Sequence, residues 1–166
     1  GEVGRQPARV GDRRLALGQA LMGALRASLA DRDLPLWLNT AFTGLVGEDG
    51  RVTGIDVLRD GKPERLTARS GVILAAGGFE RNQAMRERYL PKPTQAAWTA
   101  APPTNTGDAS EAGIAAGAAT DFMDRAWWTP VVPMPDRDTA WAVMVERCAP
   151  GCAIVNAQGK RFANEA

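Results

Sequence analysis

The chain has 166 residues, 45% apolar and 23% charged, with 20 Lys+Arg against 19 Asp+Glu. That mix excludes wholesale disorder and fits one domain, or one domain and a piece of another. A net charge of +1 gives no electrostatic footprint for nucleic acid or an acidic membrane. The absence of histidine excludes His-based triads, His-ligated zinc or haem, and imidazole acid–base chemistry.

Residues 1–12 are rich in Gly, Arg and Val without a period and read as a loose lead-in. No Met stands first, so the first residue is not expected to be a native start. From Leu15 to Leu29 the apolar positions, above all Leu21, Met22, Leu25 and Leu29, predict an amphipathic helix with Arg13, Arg14 and Arg26 on its wet side. Asp31-Arg32-Asp33 ends it, and Leu34–Leu38 begins an extended run because the residue before Pro35 disfavours the helical region. Three β-prone runs follow, Thr40–Val46, Arg51–Arg59 and Glu64–Ala68, separated by turns at 47–50 and 60–63 that each contain Asp-Gly. They predict a three-stranded meander. Gly71–Ala76 reads as a short strand buried on both faces, as in a parallel sheet, and runs into Gly77-Gly78. A polar helix is expected from about Asn82 to Tyr89, with Asn82 or Glu80 in its cap region.

Pro91-Lys92-Pro93 stops that helix, and residues 94–105 form a loop. Asn105-Thr106-Gly107-Asp108 opens a small-residue helix over Ala109–Ala118. Trp127-Trp128-Thr129-Pro130 and the proline-rich 131–135 look like a crossing between two bodies. Strands are expected at Trp141–Val145 and Ala153–Val155, with a turn at Asn156–Gly159. The longest apolar run, Val72–Ala76, is far short of the roughly 20 residues of a membrane span, so a soluble protein is expected.

Few residues carry chemistry by themselves. Cys148 and Cys152 cannot complete a zinc site without further N or S ligands, which leaves a local disulfide or two thiols of a cytosolic protein. Gly77-Gly78 at the end of a strand lets backbone approach a ligand, or is only a tight strand-to-helix turn. Asp108 caps a helix, or accepts from a ligand hydroxyl beside the helix N-terminus. Five tryptophans against one tyrosine suit a core or an interface better than a ligand cage, and Tyr89 sits on an exposed-looking helix. Gly-x-Gly-x-x-Gly, Walker and Gly-x-Ser-x-Gly motifs are all missing. The residues alone therefore reach an α/β ligand-binding piece with a β-meander.

The ordered series Leu17–Leu21, Pro35–Thr40, Gly71–Asn82, Thr104–Asp108, Ala126–Trp128, Ile154–Asn156 and Gly159–Glu165 resembles the FAD-dependent 3-ketosteroid Δ1-dehydrogenases of the fumarate reductase/succinate dehydrogenase flavoprotein superfamily. The likeness runs from about residue 13 to the end. It implies an α/β (α+β) fold: residues 1–126 are part of an FAD-binding Rossmann-like domain with the meander, and 127–166 begin a substrate (catalytic) domain. It also implies a segment internal to a longer protein, with the dinucleotide loop before it and the catalytic tyrosines outside it. No catalytic residue and no metal ligand is therefore assigned here.

The resemblance implies FAD contacts at Ala41, Phe42, Gly77, Gly78, Thr106, Gly107 and Asp108. Ala109 stands where relatives usually carry a further Gly. The implied reaction is 1,2-desaturation of a 3-ketosteroid, with one hydrogen passing to the flavin as hydride and the other to a tyrosine base. The implied partner is a steroid-like apolar small molecule, with no nucleic acid and no transmembrane segment; self-association through the apolar strand is expected if its neighbours are missing. Two alternatives stand beside this: a fumarate reductase-like flavoprotein acting on another enoate, and a fragment with no activity. The superfamily's reductases bind substrate through a His shortly after the Thr-Gly-Asp-Gly helix, where this chain has Trp127-Trp128-Thr129-Pro130.

Overall fold

A computed structural model of the chain describes residues 16–164. They divide into two compact units after Thr40. In the first, α1 (Leu17–Ala30) buries none of its residues, and Leu21, Met22 and Leu25 are exposed. The helix ends where the Asp31 and Leu34 N–H groups return to the carbonyls of Ala27 and Leu29. The basic residues Arg13 and Arg14 lie outside the described residues.

The meander forms as the alternation predicts: β1 (Thr40–Glu48), β2 (Arg51–Arg59) and β3 (Lys62–Thr67), in that order. β2 and β3 pair antiparallel from Gly54 opposite Thr67 to Arg59 opposite Lys62. Asp49-Gly50 and Asp60-Gly61 all have positive φ, 49° and 76° in the first turn and 49° and 79° in the second. Those values define the turn type whose twist matches a hairpin, which is why Asp-Gly was legible as a signal. Val57 is the buried side chain of the sheet, and Gly54 is glycine because a Cβ would collide with the Leu66 carbonyl of the neighbouring strand.

Beyond the meander the outcome departs from the sequence pattern. Residues 71–79 form no strand and pair with none among the described residues, and Ile73 is 93% exposed. An apolar β-prone run becomes a strand only where a neighbour supplies the ladder. α2 (Gln83–Tyr89) follows, capped by the Asn82 side chain, and α3 (Asp108–Ala115) ends three residues earlier than its composition suggests. Gly117, at φ 87°, closes it. The expected strand at 141–145 shrinks to β5 (Trp141–Ala142), which pairs with β4 (Val131–Val132) inside the proline-rich stretch. The strand expected at 153–155 is a single bridge from Val155 to Arg161 around the 156–159 turn.

Besides Val57, the second unit's buried residues include Met85 on α2, Leu90 just after it, Ala109 on α3 and Ala140, with the polar Arg86, Thr94 and Thr99. Thr99 carries the β5 region, since its carbonyl accepts from the Ala140 N–H at 3.0 Å.

Candidate functional site

Two turns far apart in sequence meet at the base of α2 and α3. The Arg81 N–H donates to the Asn105 carbonyl at 2.9 Å. Asn82 Nδ2 donates to the Thr106 carbonyl at 3.0 Å, while its Oδ1 accepts from the Met85 N–H. The Arg81 guanidinium grips the Ala101 carbonyl through Nε and Nη2, at 3.2 and 2.9 Å. Together these fix the Gly77–Asn82 segment against the 101–108 loop.

Glycine is required at two of these positions. Gly77 has φ 86°, and a Cβ there would stand 2.6 Å from Asn105 Oδ1. Gly107 has φ 80°, and a Cβ would meet Met85 Sδ at 2.5 Å and Phe79 Cβ at 2.7 Å. Both sites combine a left-handed backbone with no room for a side chain. Five of the seven residues proposed to contact a cofactor, Gly77, Gly78, Thr106, Gly107 and Asp108, therefore belong to one group. Ala41 and Phe42 lie elsewhere in the sequence, at the start of β1.

Asp108 is exposed, and one of its carboxylate oxygens accepts from the Thr106 hydroxyl at 2.9 Å. It does not take the cap position of α3, which Gly107 occupies. The cap alternative from the sequence thus gives way to an exposed acceptor at the helix start.

Beside Gly78 opens a cleft of about 490 Å³. Its apolar wall comprises Phe79, Leu90, Trp98, Trp127, Trp128 and Val131. The tryptophans, expected in a core or interface, are exposed here: Trp98 43%, Trp127 87% and Trp128 59%. Glu80, Arg86 and Thr129 line the same cleft. Arg86 is only 6% exposed; its Nε donates to Thr94 Oγ1 at 2.9 Å and its Nη1 to the Glu80 carbonyl at 3.4 Å. Burial pushes its pKa down, opposed by attraction to the Glu80 carboxylate. Sequence reasoning missed Glu80, Arg86 and Thr129 as cleft residues: a charged residue on a short polar helix, as Arg86 is, carries no sign that it will turn inward, and Glu80 and Thr129 stand in segments without a period.

Tyr89 packs on Phe79 with ring centroids 5.7 Å apart, consistent with a structural role. Cys148 and Cys152 are both exposed thiols. Among the described residues no group of His, Cys, Asp or Glu is arranged to hold a metal ion, and no helix is long and apolar enough to cross a membrane.

The mixed helix and sheet content goes with a structure that matches the FAD-binding flavoenzyme fold. The FAD binding domain family matches residues 2–166, and the chain belongs to that family. FAD is the cofactor this family takes. The chain is 45% identical over 156 residues to 3-oxosteroid 1-dehydrogenase of Mycobacterium tuberculosis (strain ATCC 25618 / H37Rv), covering 91% of this chain and 27% of that protein. Its structure resembles 3-ketosteroid delta1-dehydrogenase from Sterolibacterium denitrificans, crystallised with 1,4-androstadiene-3,17-dione. The TM-score there is 0.83 at 53% identity, covering 90% of this chain and 27% of that one. A flavocytochrome c3 fumarate reductase is less similar, with a TM-score of 0.65 at 28% identity over 89% of this chain and 26% of that one. The chain thus spans about a quarter of the length of these relatives, and the resemblance read from the motifs holds over most of it.

Proposed function

We propose that the chain is part of an FAD-dependent oxidoreductase that desaturates the 1,2 bond of a 3-ketosteroid. The likeness to 3-oxosteroid 1-dehydrogenases over 91% of the chain supports this, at higher identity than the fumarate reductase likeness. The observation that carries it is the union of the glycine group with a tryptophan-walled cleft: Gly78 belongs to both. A cofactor held at the first would border a flat apolar substrate held in the second.

The residues present suit the cofactor. Gly77 offers exposed backbone with no side chain in the way, and Asp108 has a carboxylate oxygen left over from Thr106 to accept from a ribose or ribityl hydroxyl. Gly78, Thr106 and Gly107 complete that group, and Ala41 and Phe42 would meet the adenine through backbone. Bound FAD supplies the two-electron acceptor that no side chain can supply. The chain's own residues bind and orient it and keep the neighbouring cleft apolar.

In the finer assignment, residues 1–126 belong to a Rossmann-like FAD domain and 127–166 begin the substrate domain. A cytoplasmic location fits the two exposed thiols. Self-association would run through the exposed Ile73 segment.

The test is flavin retention and steroid turnover by the purified full-length protein. Bound flavin that survives gel filtration and 1,2-desaturation of a 3-ketosteroid with an added electron acceptor are expected. A flavin-loaded protein that reduces a dicarboxylate enoate and leaves the steroid untouched would defeat the reading. Asp108→Ala should weaken FAD binding about tenfold, the scale of one hydrogen bond to a charged group; unchanged affinity would remove Asp108 from the site.

A further inference from the structure

The proposed steroid chemistry uses neither Cys148 nor Cys152, and the chain between them is built as one tight turn. Cys148 ends the 3-10 turn Glu146–Cys148, where its N–H donates to the Val145 carbonyl at 3.1 Å. Ala149 then leaves in an extended conformation, Pro150 presets its own φ, and Gly151 takes φ 89°. The Cys152 N–H closes the turn on the Ala149 carbonyl at 3.2 Å. A β-turn holds its first and last Cα within about 7 Å, close to the widest separation a disulfide spans. Cys152 is the last residue of this turn, and Cys148 is the direct neighbour of the first. Both thiols are exposed, so a small molecule reaches either one.

We propose that Cys148 and Cys152 form a reversible redox site, a dithiol that closes to a local disulfide on meeting a small-molecule disulfide such as oxidised glutathione. One protein thiolate attacks a sulfur of the small disulfide, which forms a mixed disulfide and releases one small thiol. The second cysteine's thiolate then attacks the protein sulfur of that mixed disulfide. The Cys148–Cys152 bond forms and the other small thiol leaves. The two protein thiols give up two electrons and two protons, and the small disulfide takes them. The second step is intramolecular across three residues, so it outruns attack by a thiol from solution. A loop this short takes little entropy from the unfolded chain, and an exposed bond is open to reduction, so the disulfide acts as a labile switch and not as a staple. Closure also removes the S–H that Cys148 donates to the Met144 carbonyl at 3.6 Å.

The experiment incubates the purified full-length, FAD-loaded protein with oxidised glutathione, blocks the remaining thiols with iodoacetamide and digests with trypsin. Cleavage after Arg147 and Lys160 releases both cysteines in one peptide, 148–160. Mass spectrometry should find that peptide lighter by two hydrogens, with neither glutathione nor the blocking group on it, and dithiothreitol should restore both thiols. In Cys148→Ser and Cys152→Ser the remaining cysteine should keep its glutathione at least about tenfold longer than the unaltered protein does, since no second thiol displaces it. Both positions are exposed, so serine there leaves the fold intact. A glutathione adduct on the unaltered protein that lasts as long as in the serine variants overturns the site. So does a peptide that takes the blocking group twice after oxidation.

Discussion

Asn82 and Thr106, 24 residues apart, are joined by a hydrogen bond from the Asn82 side-chain amide to the Thr106 carbonyl at 3.0 Å. The same side chain caps α2 by accepting from the Met85 N–H. One asparagine thus starts a helix and fastens the glycine segment to the loop that carries Asp108.

Asn82→Ala should therefore cost more than a simple cap. Loss of the cap alone is worth about 1 kcal/mol and the second hydrogen bond about as much again, for about 2 kcal/mol in urea unfolding. Asn82→Asp keeps the acceptor and loses the donor, so it should recover about half. Equal stability of Asn82→Ala and Asn82→Asp would show that the link to Thr106 contributes nothing.

Gly107→Ala should be the most damaging single methyl in the candidate site. A left-handed backbone costs a non-glycine residue about 1–2 kcal/mol, and forcing a methyl against Met85 and Phe79 about 1–3 kcal/mol more. A loss of about 2–5 kcal/mol in the free energy of urea unfolding is expected. Measured against Met85→Ala alone, which itself loses a buried side chain, Gly107→Ala should recover part of that cost, because the collision is with Met85 Sδ at 2.5 Å. No recovery would assign the whole effect to backbone conformation.

Thr94→Val removes the hydroxyl that accepts from Arg86 and leaves a buried guanidinium N–H unanswered, a loss of about 1–3 kcal/mol. Arg86→Met in that background should then be nearly neutral, since the orphaned charge goes with it. Additive losses in a double-mutant cycle would deny the coupling.

On the meander, Arg65 Nε and Nη2 bind Asp56 Oδ1 and Oδ2 at 2.7 and 2.9 Å. Those hydrogen bonds, more than the bare charge, hold the Asp56 carboxyl below its usual 3.8. A carboxyl lowered in the folded state contributes stability above the ordinary value and loses it as pH falls through the lowered one. Asp56→Asn should accordingly shift the urea midpoint near neutral pH and match the unaltered protein once the pH is well below 3.8. A gap that persists unchanged in acid would break the link to Arg65.

Much of the local structure was legible because its causes are local. Asp-Gly sets hairpin twist within two residues, Asn82 caps its own helix, and the spacing of Leu21, Leu25 and Leu29 suits one helix face. The ordered motifs also sufficed to point to the flavin family. What the sequence could not decide was every relationship carried by a distant partner. The Gly71–Ala76 run is as apolar as a buried strand, yet its conformation depends on a neighbour to pair with, and among the described residues it pairs with none and stays largely exposed. Arg86 reads as one more charge on a polar helix, and only Thr94 and Glu80 explain its burial. The tryptophans read as core or interface, and only the placement of Leu90, Phe79 and Gly78 around three of them turns them into a cleft wall. Period and turn chemistry act along the chain; a cleft is made of atoms that the chain's path brings together, and that path is settled by packing.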